Sequence, residues 1–313
     1  MKKTIALLAA TALLGSACAK KDIDPDEVRK AMPKPAVVQV GAAMSTDPGA
    51  LSAATGLPAE YAVSSYWIAV TFNVSTWWTL TLLQVITAFP PTECTSDSCT
   101  WGPWTGDRGV VWKLKVDQAG DGYDYVLAAH AAGQSEFKTI ISGNAQPGAT
   151  DSRGLGNFTM DFDASRAVDP TNDDHGKLSV EYDNRTLLQI SALFMGAKSE
   201  DPASGDEFLD IAYDFSKSAT GGELQIMFEG VTTSKNLSLR TRWLEGGQGR
   251  GDAKYVDGAV NYQASQCWLG ATGDYVLQYG VVQAGSNEPV VIVGNNDACA
   301  PFLSPVYSNL SLP

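Results

Sequence analysis

Five cysteines are the side chains whose spacing most directly indicates covalent chemistry. Cys18 lies near the N-terminus, and the other four lie in the body of the chain at Cys94, Cys99, Cys267 and Cys299. An even number of cysteines in an exported chain indicates two disulfides, and proximity along the sequence favours Cys94–Cys99 and Cys267–Cys299. A zinc site is the alternative, but C-x4-C with a distant second pair is loose spacing for zinc.

The residues around Cys18 indicate export. The chain opens MKKTIALLAATALLGSACA, a basic start, a short apolar run and small residues, which is the pattern of a secretory signal peptide. Ser16-Ala17-Cys18 resembles a bacterial lipobox, so we expect residues 1–17 to be removed and Cys18 to carry a lipid anchor. Cleavage after Ala19 is the alternative. Ala19, rather than Asp, after the anchor resembles lipoproteins passed to the outer membrane, so we expect an exported protein of the cell envelope, lipid-anchored at that membrane.

An acid-rich segment, VDPTNDDHGK (168–177), contains oxygen ligands of the kind that calcium prefers. Its candidates for a metal site are Asp169, Asp173 and Asp174. The spacing departs from the calcium loop D-x-[DN]-x-[DN]-G, because Gly176 stands at the eighth position from Asp169 and no Glu stands at the twelfth. We therefore predict a solvated loop with no metal, and we predict no cofactor.

The sequence lacks the usual arrangements for catalysis. His130 and His175 are the only histidines, and neither G-x-S-x-G nor H-E-x-x-H occurs. Ser135-Glu136-Phe137-Lys138 fits S-x-x-K, but it lies in a predicted strand and no K-T-G follows it. The tripeptide 250–252 (RGD) lies in a glycine-rich segment that predicts a hairpin turn. We therefore predict no catalytic residues and no enzyme.

The charge of the chain limits its partners. The formal net charge is −13, and loss of Lys2 and Lys3 with the leader takes it to −15. An acidic protein repels nucleic acid and anionic head groups. The predicted partners are a membrane, reached through the lipid anchor, and an apolar ligand, with no nucleic acid.

The longest uncharged segment, around YWIAVTFNVSTWWTLTLLQVITAF (66–89), predicts a buried helix. Helical spacing places one apolar stripe toward the core, made of Val70, Val74, Trp77, Thr81, Val85 and Ala88 and widened by Trp78, Leu82 and Phe89. Its polar residues, the lack of flanking basic residues and the cysteines that follow it all argue against a membrane span. Two buried strands broken near residues 73–75 are the alternative, because β-branched residues are frequent.

From Arg108 onward the apolar residues alternate with period two, as in VVWKLKVD (110–117). Repeated runs bounded by Gly, Asp and Asn predict a mainly β fold, an antiparallel meander of about 10–12 strands. We expect a curved sheet or incomplete barrel with the apolar N-terminal helix packed on it. The predicted organisation is a signal peptide (1–17), an anchor and flexible tether (18–45), a helical element (46–93) and a β domain (94–313), the last two forming one unit.

Four short segments resemble a family of predicted envelope lipoproteins of myxobacteria and related bacteria. They are WGPW (101–104), GLGNFTMDFDASR (154–166), RTRWLEGGQGRGDA (240–253) and QCW (266–268). The resemblance extends over roughly residues 60–280. The family has no known activity, so the resemblance implies a compartment and a fold rather than a reaction.

These observations favour a non-catalytic envelope lipoprotein with a structural or interaction-mediating role. The alternative is a binding module for a lipid or another apolar ligand, and a third possibility is a hydrolase without a recognisable motif. Trp77, Trp78 and Trp112 are the candidate ligand contacts, because aromatic side chains line apolar sites as well as cores. The space between sheet and helix, filled or hollow, discriminates between the first two functions.

Overall fold

The computed structural model describes residues 23–41, 59–150, 152–198, 208–231, 233, 235–269, 275–283 and 289–313. Cys18 and the predicted signal peptide lie outside the described residues. Three α-helices are described: α1 (Pro25–Ala31), α2 (Glu60–Thr87) and α3 (Phe162–Val168). The rest of the secondary structure is almost entirely β, as predicted.

Fifteen strands form one sheet that does not close, with every strand antiparallel to the next in sequence order. The strands are β1 (Glu93–Cys94), β2 (Ser98–Thr105), β3 (Val111–Ala119), β4 (Gly122–His130), β5 (Lys138–Pro147), β6 (Gly154–Asp161), β7 (Lys177–Asp183), β8 (Gln189–Lys198), β9 (Phe208–Lys217), β10 (Gly221–Gly230), β11 (Asn236–Leu244), β12 (Gly249–Asp257), β13 (Val260–Leu269), β14 (Tyr275–Gln283) and β15 (Pro289–Gly294). The antiparallel meander is confirmed. The predicted number of 10–12 strands is too low, because strands such as the two-residue β1, β12, which begins GRGDA, and β15, with the sequence PVVIVG, lack the apolar alternation.

The two faces of the sheet differ in polarity because side chains of a strand point alternately to opposite faces. One row of directly paired residues is polar across seven strands: Asp124, Asn144, Asn157, Glu181, Ser191, Asp214 and Gln225. The neighbouring row on the opposite face is apolar and largely buried: Phe158, Val180, Ala192, Tyr213, Ile226 and Leu239. The apolar face forms the core against α2.

Helix α2 crosses the sheet and meets progressively earlier strands from its N-terminal to its C-terminal end. The Tyr61 N–H donates to Gln266 Oε1 of β13 (3.0 Å), and Ser65 Oγ donates to Thr241 Oγ1 of β11 (2.8 Å). Farther along, the Phe72 ring stacks on the Tyr213 ring of β9 (4.7 Å between centroids), and Thr79 Oγ1 donates to Met160 Sδ of β6 (3.4 Å). Just beyond the helix, Phe89 O accepts from Trp101 Nε1 of β2 (2.8 Å). One helix therefore ties together strands that are far apart in the sheet. None of the described helices is long and apolar enough to span a membrane.

The predicted inward stripe of α2 is wrong. Val74, Trp77, Val85 and Ala88 are exposed, and Val70 and Thr81 are half-buried. The buried face consists mainly of small or hydroxyl-bearing side chains: Ala62, Ser65, Ala69, Thr76, Thr79, Leu80, Leu83, Ile86 and Thr87. Small side chains let the helix lie close to the sheet, and a Cβ on Gly251 of β12 would lie 2.6 Å from the Cβ of Tyr61. The two-strand alternative for this segment is also excluded.

The segment 23–41 is ordered, in contrast to the flexible tether predicted over 18–45. Val28 of α1 and Val38 are completely buried in the core. Arg29 Nε donates to Thr87 O at 2.9 Å, and the Asn73 amide bonds to both the N–H and the carbonyl of Val40. Backbone groups of this segment are thus satisfied by side chains of α2, which composition alone does not reveal.

Both predicted disulfides are confirmed. Cys94–Cys99 joins β1 to β2, and Cys267–Cys299 joins β13 to a short 3-10 helix, Asn296–Cys299. The turn predicted for 250–252 is wrong, because these residues begin β12 and both Arg250 and Asp252 are buried. Burial also removes this tripeptide from contact with any receptor.

Candidate functional site

A cleft of about 750 Å³ lies between α2 and the sheet. Helix α2 contributes Ser75, Trp78, Thr79 and Leu82, and the sheet side contributes Ile141, Met160, Phe162, Phe194 and Ala197, with Asp173, Asp174, His175 and Lys198 completing the lining. The space between helix and sheet is therefore filled over most of its length and hollow at this point. A volume of this size suits a small molecule or part of a lipid chain.

The floor of the cleft consists of two aromatic rings and a thioether. The Phe162 and Phe194 rings stack at 5.3 Å between centroids, and Met160 accepts the hydroxyl of Thr79. Phe162 follows Met160 by two positions, so strand alternation directs its ring to the same face of the sheet. The strand stops at Asp161, whose Oδ1 accepts the N–H of Ala164 at 2.8 Å and caps α3.

One side of the mouth is polar. Arg166 Nη1 lies 2.7 Å from His175 Nε2 and its Nη2 lies 2.9 Å from Asp163 Oδ1, while Lys198 Nζ lies 3.2 Å from Asp173 Oδ2. A guanidinium can only donate, so His175 Nε2 is the acceptor and its lone pair is engaged. The rim therefore has both signs of charge, already paired within the protein.

The arrangement favours binding over proton transfer. A general base needs a free lone pair within reach of the substrate, and His175 uses that lone pair for Arg166. The apolar floor with a polar rim on one side instead matches an amphipathic molecule, whose chain would contact Phe162 and Phe194 and whose polar end would reach Lys198.

Of the three predicted ligand-contact residues, the structure brings one to the cleft. Trp78 lines it. Trp77 borders a separate groove of about 710 Å³ on the other side of α2, beside Lys34, Pro35 and Gln39. Trp112 lies in β3, where its indole would contact a Cβ placed on Gly106 at 3.4 Å, and it lines neither space.

Two of the three predicted metal candidates have separate cationic partners. Asp169 pairs with Arg108 at 2.9 Å, and its pKa lies below the usual range because the Thr171 hydroxyl donates to it and Arg108 is close. Asp173 pairs with Lys198, and Asp174 bonds through its N–H to Asn172 Oδ1. Among the described residues, no group of three or more His, Cys, Asp or Glu is placed to hold a metal ion.

Sequence reasoning missed most of the cleft. Met160 and Phe162 belong to a recognised alternating run, but nothing in that run indicates that the sheet there is uncovered by α2. Asp161 three residues before Ala164 is the one local signal, since a cap residue ends the strand. Phe194 and Lys198 of β8 reach the cleft because β8 pairs with β7, which in turn pairs with β6 and Met160.

The opposite face of the sheet has a shallow polar groove of about 610 Å³. Its charged residues are the carboxylates Glu181, Asp183, Asp214 and Glu223. Asp183 is bonded to Arg185 and Glu223 to Arg240, the latter at 2.8 Å. This groove is solvated surface, with two of its carboxylates neutralised.

No protein family model matches this sequence, and neither a curated protein nor a solved structure is measurably similar to it.

Proposed function

We propose that the protein is a non-catalytic lipoprotein of the bacterial envelope that binds an apolar or amphipathic ligand between α2 and the sheet. The observation that supports this most is the cleft itself, an opening of about 750 Å³ between α2 and the sheet. Its floor is apolar and aromatic with a few polar groups at one side, which is the usual lining of a small-molecule site.

A sheet that curves around the helix, as an incomplete barrel, accounts for the contacts of α2. The 28 residues of α2 are about 42 Å long at 1.5 Å per residue. The strands that it meets, from β13 to β2, span eleven spacings, about 53 Å at 4.8 Å each. A flat sheet would extend beyond the helix, whereas a curved one brings both ends to it and leaves a concavity at the side.

Export and lipidation at Cys18 are supported indirectly. Two disulfides persist in oxidising compartments and are rare in the cytosol. Cys18 precedes the first described residue, Ile23, by five positions, so an anchor there would hold the ordered body close to the membrane.

The test is ligand binding by the unlipidated chain, made as a Cys18→Ser variant. A dansyl-labelled fatty acid, titrated without vesicles, should bind one to one and gain fluorescence on entering the cleft. Ser75→Trp places an indole at the mouth from an exposed helix position, and it should weaken binding by about tenfold or more. Ser64→Trp is the matched control, since Ser64 is exposed on the same helix outside the cleft.

Two outcomes would contradict the proposal. Either the wild-type chain fails to bind the fatty acid, or Ser75→Trp binds as tightly as Ser64→Trp. The purely structural role for the lipoprotein would then stand as the better hypothesis.

A further inference from the structure

The outward face of α2 is mainly apolar, with the exposed Thr71 between its first two members. We define this outward face as Trp67, Val74, Trp78, Leu82, Val85 and Phe89, which recur at spacings of three, four and seven residues. Trp67 is 58%, Trp78 67% and Phe89 65% exposed. No charged residue occurs between Glu60 and Glu93, so no charge on the helix itself interrupts the face.

Exposure of this kind indicates an interaction site. Single exposed apolar residues are ordinary, but six of them along one side, with two tryptophans and a phenylalanine, are not. Burial of such side chains favours association, because it removes apolar surface from water. A charged partner would find no complementary group on this face, so the partner surface is apolar.

The position of the face favours a lipid bilayer as the occupant. Helix α1 is fixed to the C-terminal end of α2 through Arg29 and Thr87, and the N–H of Ile23 donates to Thr95 O at 3.1 Å. Five residue steps from Cys18 to Ile23 span at most about 17 Å. A lipid on Cys18 would therefore keep the C-terminal end of α2, with Val85 and the following Phe89, near the membrane surface.

The side chains also suit the membrane interface. Tryptophan is enriched there because its ring is apolar and its N–H is polar, and helices that lie in the interface bury an apolar face only several ångströms deep. The net charge of −13 opposes attraction to anionic lipid, so the contact depends on apolar insertion.

We infer that the outward face of α2 docks onto the bilayer surface. Trp78 and Leu82 belong to both the outward face and the cleft. The docked orientation therefore opens the cleft at the membrane, and its ligand is a membrane lipid that enters by an acyl chain. Both statements rest on the proposed function, the docking through the lipid anchor on Cys18 and the entry of the lipid through the cleft.

The experiment is sedimentation of the Cys18→Ser chain with phosphatidylcholine vesicles, which are neutral and test apolar insertion directly. The wild-type face should partition onto vesicles with little dependence on salt. The triple variant Trp67→Ser, Val85→Asp, Phe89→Ser changes only residues outside the cleft, and it should lower the partition coefficient by about tenfold or more. The double variant Val231→Asp, Val260→Asp, which alters exposed apolar residues of two hairpins, should bind as the wild type does.

Fatty-acid binding without vesicles separates the two proposals, because the triple variant should retain it. Failure of docking with retained binding would overturn only the membrane inference. If light scattering shows that the wild-type chain is a dimer and that the triple variant is a monomer, the outward face binds a second copy of the chain. If the protein is a monomer and acrylamide fails to quench Trp67 in the absence of vesicles, another part of the chain covers the outward face. Either result would overturn docking.

Discussion

At the residue scale, the Asp252 carboxylate is the centre of a buried polar cluster. It is completely buried and accepts from Arg250 Nε (2.8 Å), Arg242 Nη2 (3.0 Å), Ser265 Oγ (2.7 Å) and the N–H of Val306 (2.9 Å). These four donors use the full acceptor capacity of a carboxylate. One residue thus binds β11, β12 and β13 to the C-terminal segment.

We predict that Asp252→Asn lowers the free energy of unfolding by about 3–5 kcal/mol, because it leaves the buried Arg250 guanidinium without a countercharge. Urea unfolding followed by tryptophan fluorescence measures the change. Asp257→Asn is the matched control, since Asp257 lies at the end of the same strand and only bonds the exposed Tyr255 hydroxyl. Equal stability of the two variants would contradict the idea that the cluster stabilises the fold.

Tyr213 is a second buried polar residue, but its substitution should have the opposite effect on the free energy of unfolding. Its ring stacks on Phe72, and its hydroxyl is buried without a hydrogen-bond partner among the described residues. We predict that Tyr213→Phe raises the free energy of unfolding at pH 7 by about 1 kcal/mol, because it removes an unsatisfied polar group and keeps the ring. Denaturant titration of both chains measures it, and a loss of stability would indicate a partner for the hydroxyl.

The same residue should affect the alkaline limit of stability. Burial raises the pKa of Tyr213 above its ordinary value of 10.0, and likewise the pKa values of Tyr125 and Tyr182. Above pH 10 the unfolded chain loses these protons while the folded chain keeps them, so stability falls as pH rises. Tyr213→Phe should reduce that slope by about 1.4 kcal/mol per pH unit.

Residue types alone predicted some of these sites and not others. The two disulfides follow from an even cysteine count and proximity, and the structure has both. The ion-pair cluster around Asp252 was not predictable, because glycine-rich GRGD has the composition of a turn. Only the pairing of β12 with β11 and β13 shows that these charges meet inside the protein.

At the element scale, α2 shows why hydrophobicity did not predict orientation. The segment is apolar on all sides, so its large side chains formed a stripe that suggested a core. The structure instead buries the side that contains Ala62, Ser65 and Ala69, because small residues allow close approach to the sheet. Trp77 and Trp78 are exposed, so they were wrong as members of the core stripe, and their role as ligand contacts stays a prediction.

The two disulfides differ in the length of chain that they close, and their effects should differ accordingly. In the chain-entropy account, the loop between Cys267 and Cys299 contributes about 3.7 kcal/mol and the short loop between Cys94 and Cys99 about 2.2 kcal/mol. We predict that the Cys267→Ala, Cys299→Ala variant is the less stable of the two double variants. It should also be cleaved within residues 296–313 by a protease such as thermolysin, because that bridge fixes the C-terminal segment to β13.

Thermal unfolding and timed proteolysis of the two double variants measure this difference. Cys94→Ala, Cys99→Ala is the control for loss of a bridge as such. The prediction fails if the short-loop variant is the less stable, or if residues 296–313 remain equally protected in both.

At the scale of the whole molecule, local patterns predicted the meander, because each strand pairs with its sequence neighbours. They did not predict the extent of the sheet or its last strands. An open sheet has two edges, and the two differ here. Strand β1 has two residues and is joined to β2 by Cys94–Cys99, whereas β15 is longer and apolar, with the sequence PVVIVG.

The edge at β15 should be where the protein associates with itself when concentrated. In the described sheet β15 pairs only with β14, and Ile292 and Val293 are 56% and 57% exposed. Exposed apolar edge strands template pairing with another chain, and a lysine on the edge opposes it. We predict that Ile292→Lys lowers concentration-dependent light scattering, whereas Val231→Lys, a change of similar exposure in a hairpin, leaves it unchanged. If the two variants scatter alike, the association arises elsewhere, and the outward face of α2 becomes the surface to substitute next, since it is the other large apolar surface that the described chain exposes.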